Sequence, residues 1–336
     1  MAICLLVSIL FILLLSYFSV LKEKHSNNFI RLLPSGKLSQ ENVLELKGAN
    51  WYIAGAKNEH IFMGNLRAPD RILQVGISFK DTLGLKLRFP NDLKIFEGYT
   101  NQVENDSIYT LDGNQPALYS GNLKSLSSKY ISKPPFFTQG IYSGCNIFVF
   151  RVVQSGKNWL VRYRPDSLGF KKPKNLLEKQ VDGIFCTDGN LIKVPNSNKI
   201  IYVYYYRNQF IFADDNLNLI YRGKTIDTVT HAHIKVAYIK STNQTTLASP
   251  PLFVNKQSTA NEKYLFIHSA LIADNEVAES LDKVSVIDVY AIKDGKYQFS
   301  FYLPDIKKSK VRDFKVHEQS LYALYDHYLY KYRLNF

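Results

Sequence analysis

Hydrophobic and polar side chains alternate over many short stretches of this chain, which is the pattern of β-strands with one buried face. In residues 297–303 (YQFSFYL) every second side chain is large and apolar. An apolar run over residues 284–292 precedes that stretch, and the two are separated by the tetrapeptide Lys-Asp-Gly-Lys. Since an Asp-Gly turn between two such runs is a strong hairpin signal, the sequence predicts a β-hairpin here.

The same hairpin unit recurs along the chain. Comparable runs begin near positions 51, 108, 147, 200, 264 and 321, on average about 54 residues apart. Blades of β-propellers are roughly 40–50 residues long, and no amphipathic helical run of about 12 residues lies between the predicted strands. The sequence therefore predicts an all-β fold with a β-propeller over residues 41–336, six blades being favoured and seven also compatible.

Two segments of the predicted propeller need separate interpretation. Residues 42–46 (NVLEL) form the N-terminal strand that we expect to pair with the last strand, residues 328–334 (YLYKYRL). This pairing would close the ring without leaving an open sheet edge, which is a site of aggregation. Residues 270–281 (ALIADNEVAESL) are interpreted as a long loop or lid rather than a helix.

The N-terminus begins with an uncharged apolar run over residues 2–21 (AICLLVSILFILLLSYFSVL). About 20 such residues suffice for a transmembrane helix, whereas the apolar region of a cleaved signal peptide is about 7–15 residues long. The sequence therefore favours an uncleaved transmembrane anchor over residues 1–24, with a cleaved signal as the alternative, and a linker over residues 25–40. Lys22 and Lys24 alone would favour a cytoplasmic body. Because this bias is small, the body is predicted to lie outside the cytoplasm, in the periplasm.

Three stretches carry a resemblance to known proteins: residues 51–65 (WYIAGAKNEHIFMGN), 203–228 (VYYYRNQFIFADDNLNLIYRGKTIDT) and 285–305 (SVIDVYAIKDGKYQFSFYLPD). They resemble segments of poorly characterised six-bladed β-propeller proteins of bacterial cell envelopes, which are carried behind an N-terminal hydrophobic signal. The resemblance implies a propeller fold and an envelope location. It implies no catalytic residue.

Aromatic content and charge change this interpretation only slightly. The chain has 23 Tyr and 21 Phe, and its formal net charge is +13. Because Tyr202, Tyr204 and Tyr206 alternate along one strand, we expect such rings to pack between blades rather than to form a ligand platform. Basic clusters at residues 307–312 and 171–174 predict a solvated basic surface. If this surface binds a partner, an anionic lipid or glycan is the expected class. Nucleic acid is not expected, because no nucleic-acid-binding module is recognisable.

Candidate chemistry is sparse in the sequence. Walker, GxGxxG and GxSxG motifs are absent, so no catalytic residue and no cofactor is predicted. His231 and His233 could face the same side of a strand and are a weak metal candidate without a third ligand. Cys145 and Cys186 could form one disulfide in an oxidising compartment or remain two buried free thiols, and both interpretations stay open.

Four scattered carboxylates leave an enzymatic alternative. Asp182, Asp188, Asp227 and Asp288 could supply a glycosidase pair, which needs two carboxyl groups about 5–10 Å apart. The first hypothesis is nevertheless a non-enzymatic, membrane-anchored binding or scaffold protein of the cell envelope. Its expected partners are the membrane, through residues 2–21, and another envelope protein or an anionic glycan or lipid. A carbohydrate-active or other hydrolytic propeller is the alternative.

Overall fold

The computed structural model describes residues 27–336, except 49, 91–98, 168, 242–243 and 278–281, together with Ser8, Ile9 and Ile12. The predicted anchor over residues 1–24 therefore lies almost entirely outside the described residues. Within the described part of the chain, no helix combines the length and the apolar character that crossing a membrane requires.

The described chain forms 26 β-strands. Twenty-four of them make six four-stranded antiparallel sheets, which are the blades of the propeller, and the other two make a separate hairpin. Blade 1 contains β2 (Trp51–Lys57), β3 (His60–Asn65), β4 (Arg71–Gly76) and β5 (Thr82–Lys86); blade 2 contains β6 (Thr100–Glu104), β7 (Ser107–Asp112), β8 (Ala117–Asn122) and β9 (Ser128–Ser132); blade 3 contains β10 (Gln139–Gly144), β11 (Ile147–Gln154), β12 (Lys157–Tyr163) and β13 (Phe170–Lys171); blade 4 contains β14 (Gly189–Lys193), β15 (Lys199–Tyr204), β16 (Gln209–Asp214) and β17 (Leu219–Lys224).

The C-terminal part of the chain completes the ring. Blade 5 contains β20 (Asn255–Ala260), β21 (Tyr264–Ser269), β22 (Val284–Ala291) and β23 (Tyr297–Pro304); blade 6 contains β24 (Asp313–His317), β25 (Ser320–Tyr325), β26 (Tyr328–Leu334) and β1 (Leu38–Glu45); the separate hairpin consists of β18 (Val236–Ile239) and β19 (Gln244–Leu247). The all-β prediction with six blades is therefore confirmed. A 3-10 turn at Phe185–Thr187 is the one helical element between residues 27 and 336 that the structure describes.

The first strand of each blade lies nearest the axis. The inner strands β2, β6, β10, β14, β20 and β24 approach one another around the ring, so their free edges line a central channel. Strand β1 is the outermost strand of the last blade, where Leu38 pairs with Leu334 and Val43 with Tyr330. The predicted ring closure is confirmed, although β1 begins at Leu38, four residues earlier than expected. Leu38 belongs to the strand because its side chain packs on the core between blades 5 and 6.

Six apolar clusters of the described chain lie between the blades, one between each pair of neighbours. Alternate residues of each sheet pack against the facing sheet, which explains the period-two pattern. Tyr202 and Tyr204 are fully buried between blades 3 and 4, which confirms the expected packing for these two rings. Tyr206 lies beyond the end of β15 and is buried against Ala232 and Ile234 instead.

The segment before β1 is also part of the folded body, although it was predicted to be a linker. Phe29 and Arg31 are buried against blade 5. The Arg31 guanidinium donates hydrogen bonds to Asp288 Oδ1 (2.8 Å) and to Ser269 Oγ (2.8 Å), and it also pairs with Glu276. Residues 270–277, which carry Glu276, form a loop as predicted, and residues 278–281 lie outside the described residues.

Candidate functional site

The free edges of the inner strands expose backbone groups that need hydrogen-bond partners, and polar side chains from neighbouring blades supply them. Gln102 in blade 2 donates to the carbonyl of Gly140 (2.7 Å) and accepts from the amide of Tyr142 (2.8 Å). Gln139 in blade 3 accepts from the amide of Leu191 (2.8 Å). These bridges place a belt of polar side chains around the channel.

An aspartate continues the belt across the closing blade. Asp313 in blade 6 accepts from the amide of Ile53 through Oδ2 (2.8 Å) and from Gln257 Nε2 through Oδ1 (2.6 Å). Burial raises the pKa of the Asp313 carboxyl, and the hydrogen bond from Ile53 opposes that shift. Both carboxyl oxygens are therefore engaged in joining blades 5, 6 and 1.

Two cavities occupy the ends of the channel. The cavity where the inner strands begin has a volume of ≈ 510 Å³ and is called the upper cavity here. The cavity where the inner strands end has a volume of ≈ 330 Å³ and is called the lower cavity. Lys315 lines both cavities, so its side chain lies at the junction between them.

Lys315 is the unusual group of the channel. Its side chain is half-buried and is surrounded by the inner strands of the ring. Among the described residues its ammonium makes no hydrogen bond and no ion pair within the usual distances. Burial lowers the pKa of Lys315, and the negative charges of Asp313 and Glu104 oppose the shift, whereas the Lys193 cation adds to it. The channel therefore holds an ammonium group with spare hydrogen-bonding capacity.

The other charges of the channel neutralise one another. Lys193 in blade 4 reaches past blade 3 to form an ion pair with Glu104 in blade 2. The Lys193 ammonium also lies 5.9 Å from the ring centre of Tyr142. Because Glu104 is held by Lys193, and Asp313 by its two hydrogen bonds, neither carboxylate is directly paired with Lys315.

The upper cavity adds amides and an aromatic rim to this ammonium. Asn101, Gln102 and Asn114 line its wall, and Phe136 lies at its edge with half of its side chain exposed. The amides of Asn101 and Gln102 already have protein partners at both ends. The exposed amide of Asn114 can exchange hydrogen bonds with hydroxyl groups, and an exposed ring offers an apolar face. The arrangement can accommodate a small polar ligand that carries a negative charge.

The structure changes the interpretation of the histidine pair. His231 and His233 lie in an extended loop before β18 rather than on a strand, although both are exposed and alternate with buried residues as predicted. The extended loop forms because Ala232 and Ile234 pack inwards, while no neighbouring strand pairs with it. In the described part of the chain, no three His, Cys, Asp or Glu side chains form a metal-binding group.

The cysteines are both free thiols. Cys145 is exposed in the turn between β10 and β11, at a φ of 49°, whereas Cys186 is buried in the 3-10 turn. Cys186 Sγ donates to the carbonyl of Asp182 (2.8 Å). The structure therefore contains neither the disulfide nor two buried thiols, because only one of the two cysteines is buried.

The four scattered carboxylates do not line the channel cavities, and each has a hydrogen-bond or ion-pair partner elsewhere in the protein. Asp182 accepts from the amides of Phe185 and Cys186, Asp188 pairs with Arg151, Asp227 accepts from Thr225, and Asp288 pairs with Arg31. Sequence reasoning missed the channel residues Glu104, Lys193, Asp313 and Lys315. A usable signal was the position of polar residues in the first strand of each hairpin unit, as in DFKVH at 313–317.

Comparisons with known proteins support the fold. No protein-family model matches the chain, and no curated protein matches it in sequence. The structure resembles a member of the DUF4221 family from Bacteroides vulgatus, with a TM-score of 0.54 and 12% identity over 88% of this chain and 97% of the other. A Bacteroides fragilis protein named as exported gives a TM-score of 0.54 and 10% identity, with 92% and 98% covered.

A third structure is an enzyme variant. It is a catalytically inactive virginiamycin B lyase from Staphylococcus aureus with quinupristin, with a TM-score of 0.50 and 11% identity over 88% of this chain and 99% of that one. The likeness to these structures is one of fold. The chain is thus similar to uncharacterised bacterial six-bladed propellers, and the propeller fold alone does not define a function.

Proposed function

We propose that this protein is a membrane-anchored binding protein of the cell envelope, and that its upper cavity holds an anionic glycan. The observation that carries the proposal is the Lys315 ammonium, which has no hydrogen-bond acceptor among the described residues. A carboxylate of the ligand would supply that acceptor, and charge-assisted hydrogen bonds of this kind are stronger than neutral ones. The exposed ring of Phe136 and the exposed amide of Asn114 suit a sugar ring and its hydroxyl groups.

The cavity favours binding over hydrolysis. Hydrolysis of a glycoside requires two available carboxyl groups flanking the bond. In the channel, Asp313 joins three blades through both of its oxygens, and Glu104 is paired with Lys193. The two carboxyl groups thus have structural partners, whereas Lys315 does not.

The proposed location rests on the N-terminal sequence. Residues 2–21 are long and apolar enough to span a bilayer, and one structural neighbour is named as an exported protein. If the anchor is retained, the N-terminus of the mature chain should be intact, and the protein should stay in the membrane during washing with salt and carbonate. A mature chain that begins after residue 21 and remains soluble would contradict the anchor.

Binding can be tested with oligosaccharides of known charge. Isothermal titration of the detergent-solubilised full chain would compare galacturonic acid trimers with neutral galactose trimers. We expect the acidic trimer to bind at least tenfold more tightly, because only it offers a carboxylate to Lys315.

Variants assign the binding to the cavity. Lys315→Met should remove the preference for the acidic trimer, and Phe136→Ala should weaken both ligands. Lys308→Met is the matched control, because Lys308 is an exposed lysine outside the residues that line the channel. Equal affinity for both trimers, or an unchanged preference in Lys315→Met, would contradict the proposed ligand class. Release of shorter sugars during the titration would indicate hydrolysis instead.

A further inference from the structure

The chain between blades 4 and 5 carries a surface that the channel does not explain. Residues 228–254 contain the β18–β19 hairpin, and this stretch has two lysines, two histidines and no aspartate or glutamate. Among the described residues, strands β18 and β19 pair with each other and with no blade. An isolated two-stranded hairpin is only marginally stable in water, so an external surface would favour this conformation.

The hairpin and the loop after it expose large apolar side chains. The exposed fractions are 38% for Val236, 59% for Tyr238, 41% for Ile239, 41% for Leu252 and 41% for Phe253. The base of the hairpin is attached to the body, because Ala232, Ile234 and Leu247 pack near Tyr206. We call the five exposed residues and their flanking lysines, Lys235 and Lys240, the hairpin surface.

The N-terminal segment begins next to the hairpin surface. The carbonyl of Asn27 accepts a hydrogen bond from Thr228 Oγ1 (2.8 Å), eight residues before β18. Phe29 packs against Val254, which directly follows Phe253 in the sequence. The start of the continuous described chain is therefore fixed against the two segments that flank the hairpin in the sequence.

Chain length then limits the distance to the bilayer. Six peptide units connect Leu21, the last residue of the apolar run, with Asn27. At about 3.4 Å per residue, a fully extended connection reaches about 20 Å. Thr228, which Asn27 contacts, lies eight residues before β18, and a four-residue hairpin arm extends about 13 Å. The bilayer surface is therefore within about 20 Å of the point where the chain that leads into the hairpin is fixed.

We propose that the hairpin surface rests on the anionic lipid bilayer that residues 2–21 enter. Tyrosine and aliphatic side chains partition into the boundary between lipid head groups and acyl chains. Lys235 and Lys240 supply the positive charge that anionic head groups attract, and no carboxylate within residues 228–254 opposes it. The inference rests on the anchor of the proposed function, and it adds a second contact that would fix the orientation of the propeller.

Lipid quenching of an introduced tryptophan tests the contact. The full chain is placed in nanodiscs of phosphatidylcholine and phosphatidylglycerol with brominated acyl chains, and the Tyr238→Trp variant is compared with Tyr130→Trp. Tyr130 is the matched control because it is a similarly exposed tyrosine, on strand β9 of blade 2. Trp51 and Trp159 also fluoresce, so the emission of the unsubstituted chain is measured in the same discs and subtracted from that of each variant.

The expected result is at least a twofold loss of emission at position 238, with no change at position 130. Discs without phosphatidylglycerol should show weaker quenching. If the chain elutes with the discs but the tryptophan at position 238 is not quenched, the hairpin surface does not contact lipid, although the anchor is intact. The same result is expected if this surface binds a protein instead of the bilayer. Elution of the chain apart from the discs would refute the anchor, and with it this inference.

Discussion

The buried Arg31 should be one of the strongest single contributors to stability outside the blade cores. Its side chain is fully buried and contacts Asp288, Glu276, Ser269 and the carbonyl of Leu271. Arg31→Met keeps most of the apolar stem and removes the guanidinium. Asp288 and Glu276 would then remain buried without their cation, and removal of one partner of such a network costs about 3–5 kcal/mol.

Thermal unfolding of the solubilised full chain measures this effect. Unfolding entropy is about 2.1 cal/mol/K per residue, so a body of about 310 residues has about 0.65 kcal/mol/K. A loss of 3–5 kcal/mol therefore lowers Tm by about 5–8 °C. The matched control is Arg164→Met, because Arg164 pairs with Asp166 in an ion pair in which both side chains are well exposed, and solvent screening makes the contribution of such pairs to stability small.

A double substitution separates the network from general packing. In a chain that already carries Asp288→Asn, the further change Arg31→Met should cost clearly less than in the native chain, because only Glu276 then remains as a buried carboxylate without its cation. A Tm decrease below 2 °C for Arg31→Met, equal to that of Arg164→Met, would show that the segment before β1 is not held as the structure indicates.

Three further predictions concern the body of the propeller. Burial lowers the pKa of His268 to about 3, so between about pH 6.5 and pH 3 only the unfolded chain binds a proton at this residue. From pH 7 to pH 5, denaturant titrations should therefore show a decrease in the free energy of unfolding that is about 2 kcal/mol larger for the native chain than for His268→Gln. Equal decreases in the two chains would contradict the low pKa of His268. Gly55→Ala should lower the free energy of unfolding by about 1–3 kcal/mol in the same assay, because the new Cβ would lie 2.4 Å from a carbonyl oxygen of β6. The control is Gly84→Ala, because a Cβ at position 84 has no atom within 4 Å. Equal effects of the two substitutions would show that Gly55 does not approach β6 so closely. Peptide mapping after maleimide labelling should find Cys145 modified in the folded protein and Cys186 only after unfolding, whereas modification of both in the folded state would contradict the burial of Cys186.

The architecture could be predicted because its determinants are local and repeated. A hairpin signal such as residues 284–303 depends on alternation and on turn residues that stand next to each other in the sequence. Six repeats of that signal favoured six blades over seven, and the strand-like character of residues 42–46 predicted the closing pair with β26. The apolar run that predicts the membrane anchor is also a local signal, and the anchor remains a prediction.

The channel and the N-terminal clamp could not be predicted in the same way. Arg31 meets Asp288 across 257 positions of the sequence, and Lys193 meets Glu104 across 89, so no local pattern links the partners. The expected placement of the histidine pair on a strand was wrong for a related reason. An alternating pattern predicts which side chains point outwards, but a strand also needs a neighbouring strand, and residues 231–233 have none in the described structure.

Ring closure by β1 has a consequence for biosynthesis. The pairing of Leu38 with Leu334 joins residues that the ribosome adds about 300 positions apart, which takes about 15–60 s at 5–20 residues per second. Throughout that interval blade 6 is incomplete and the propeller is an open arc with unpaired strand edges. Closure is therefore a late step that requires nearly the whole chain, and a product truncated before β26 would lack a closed ring however well its earlier blades had folded.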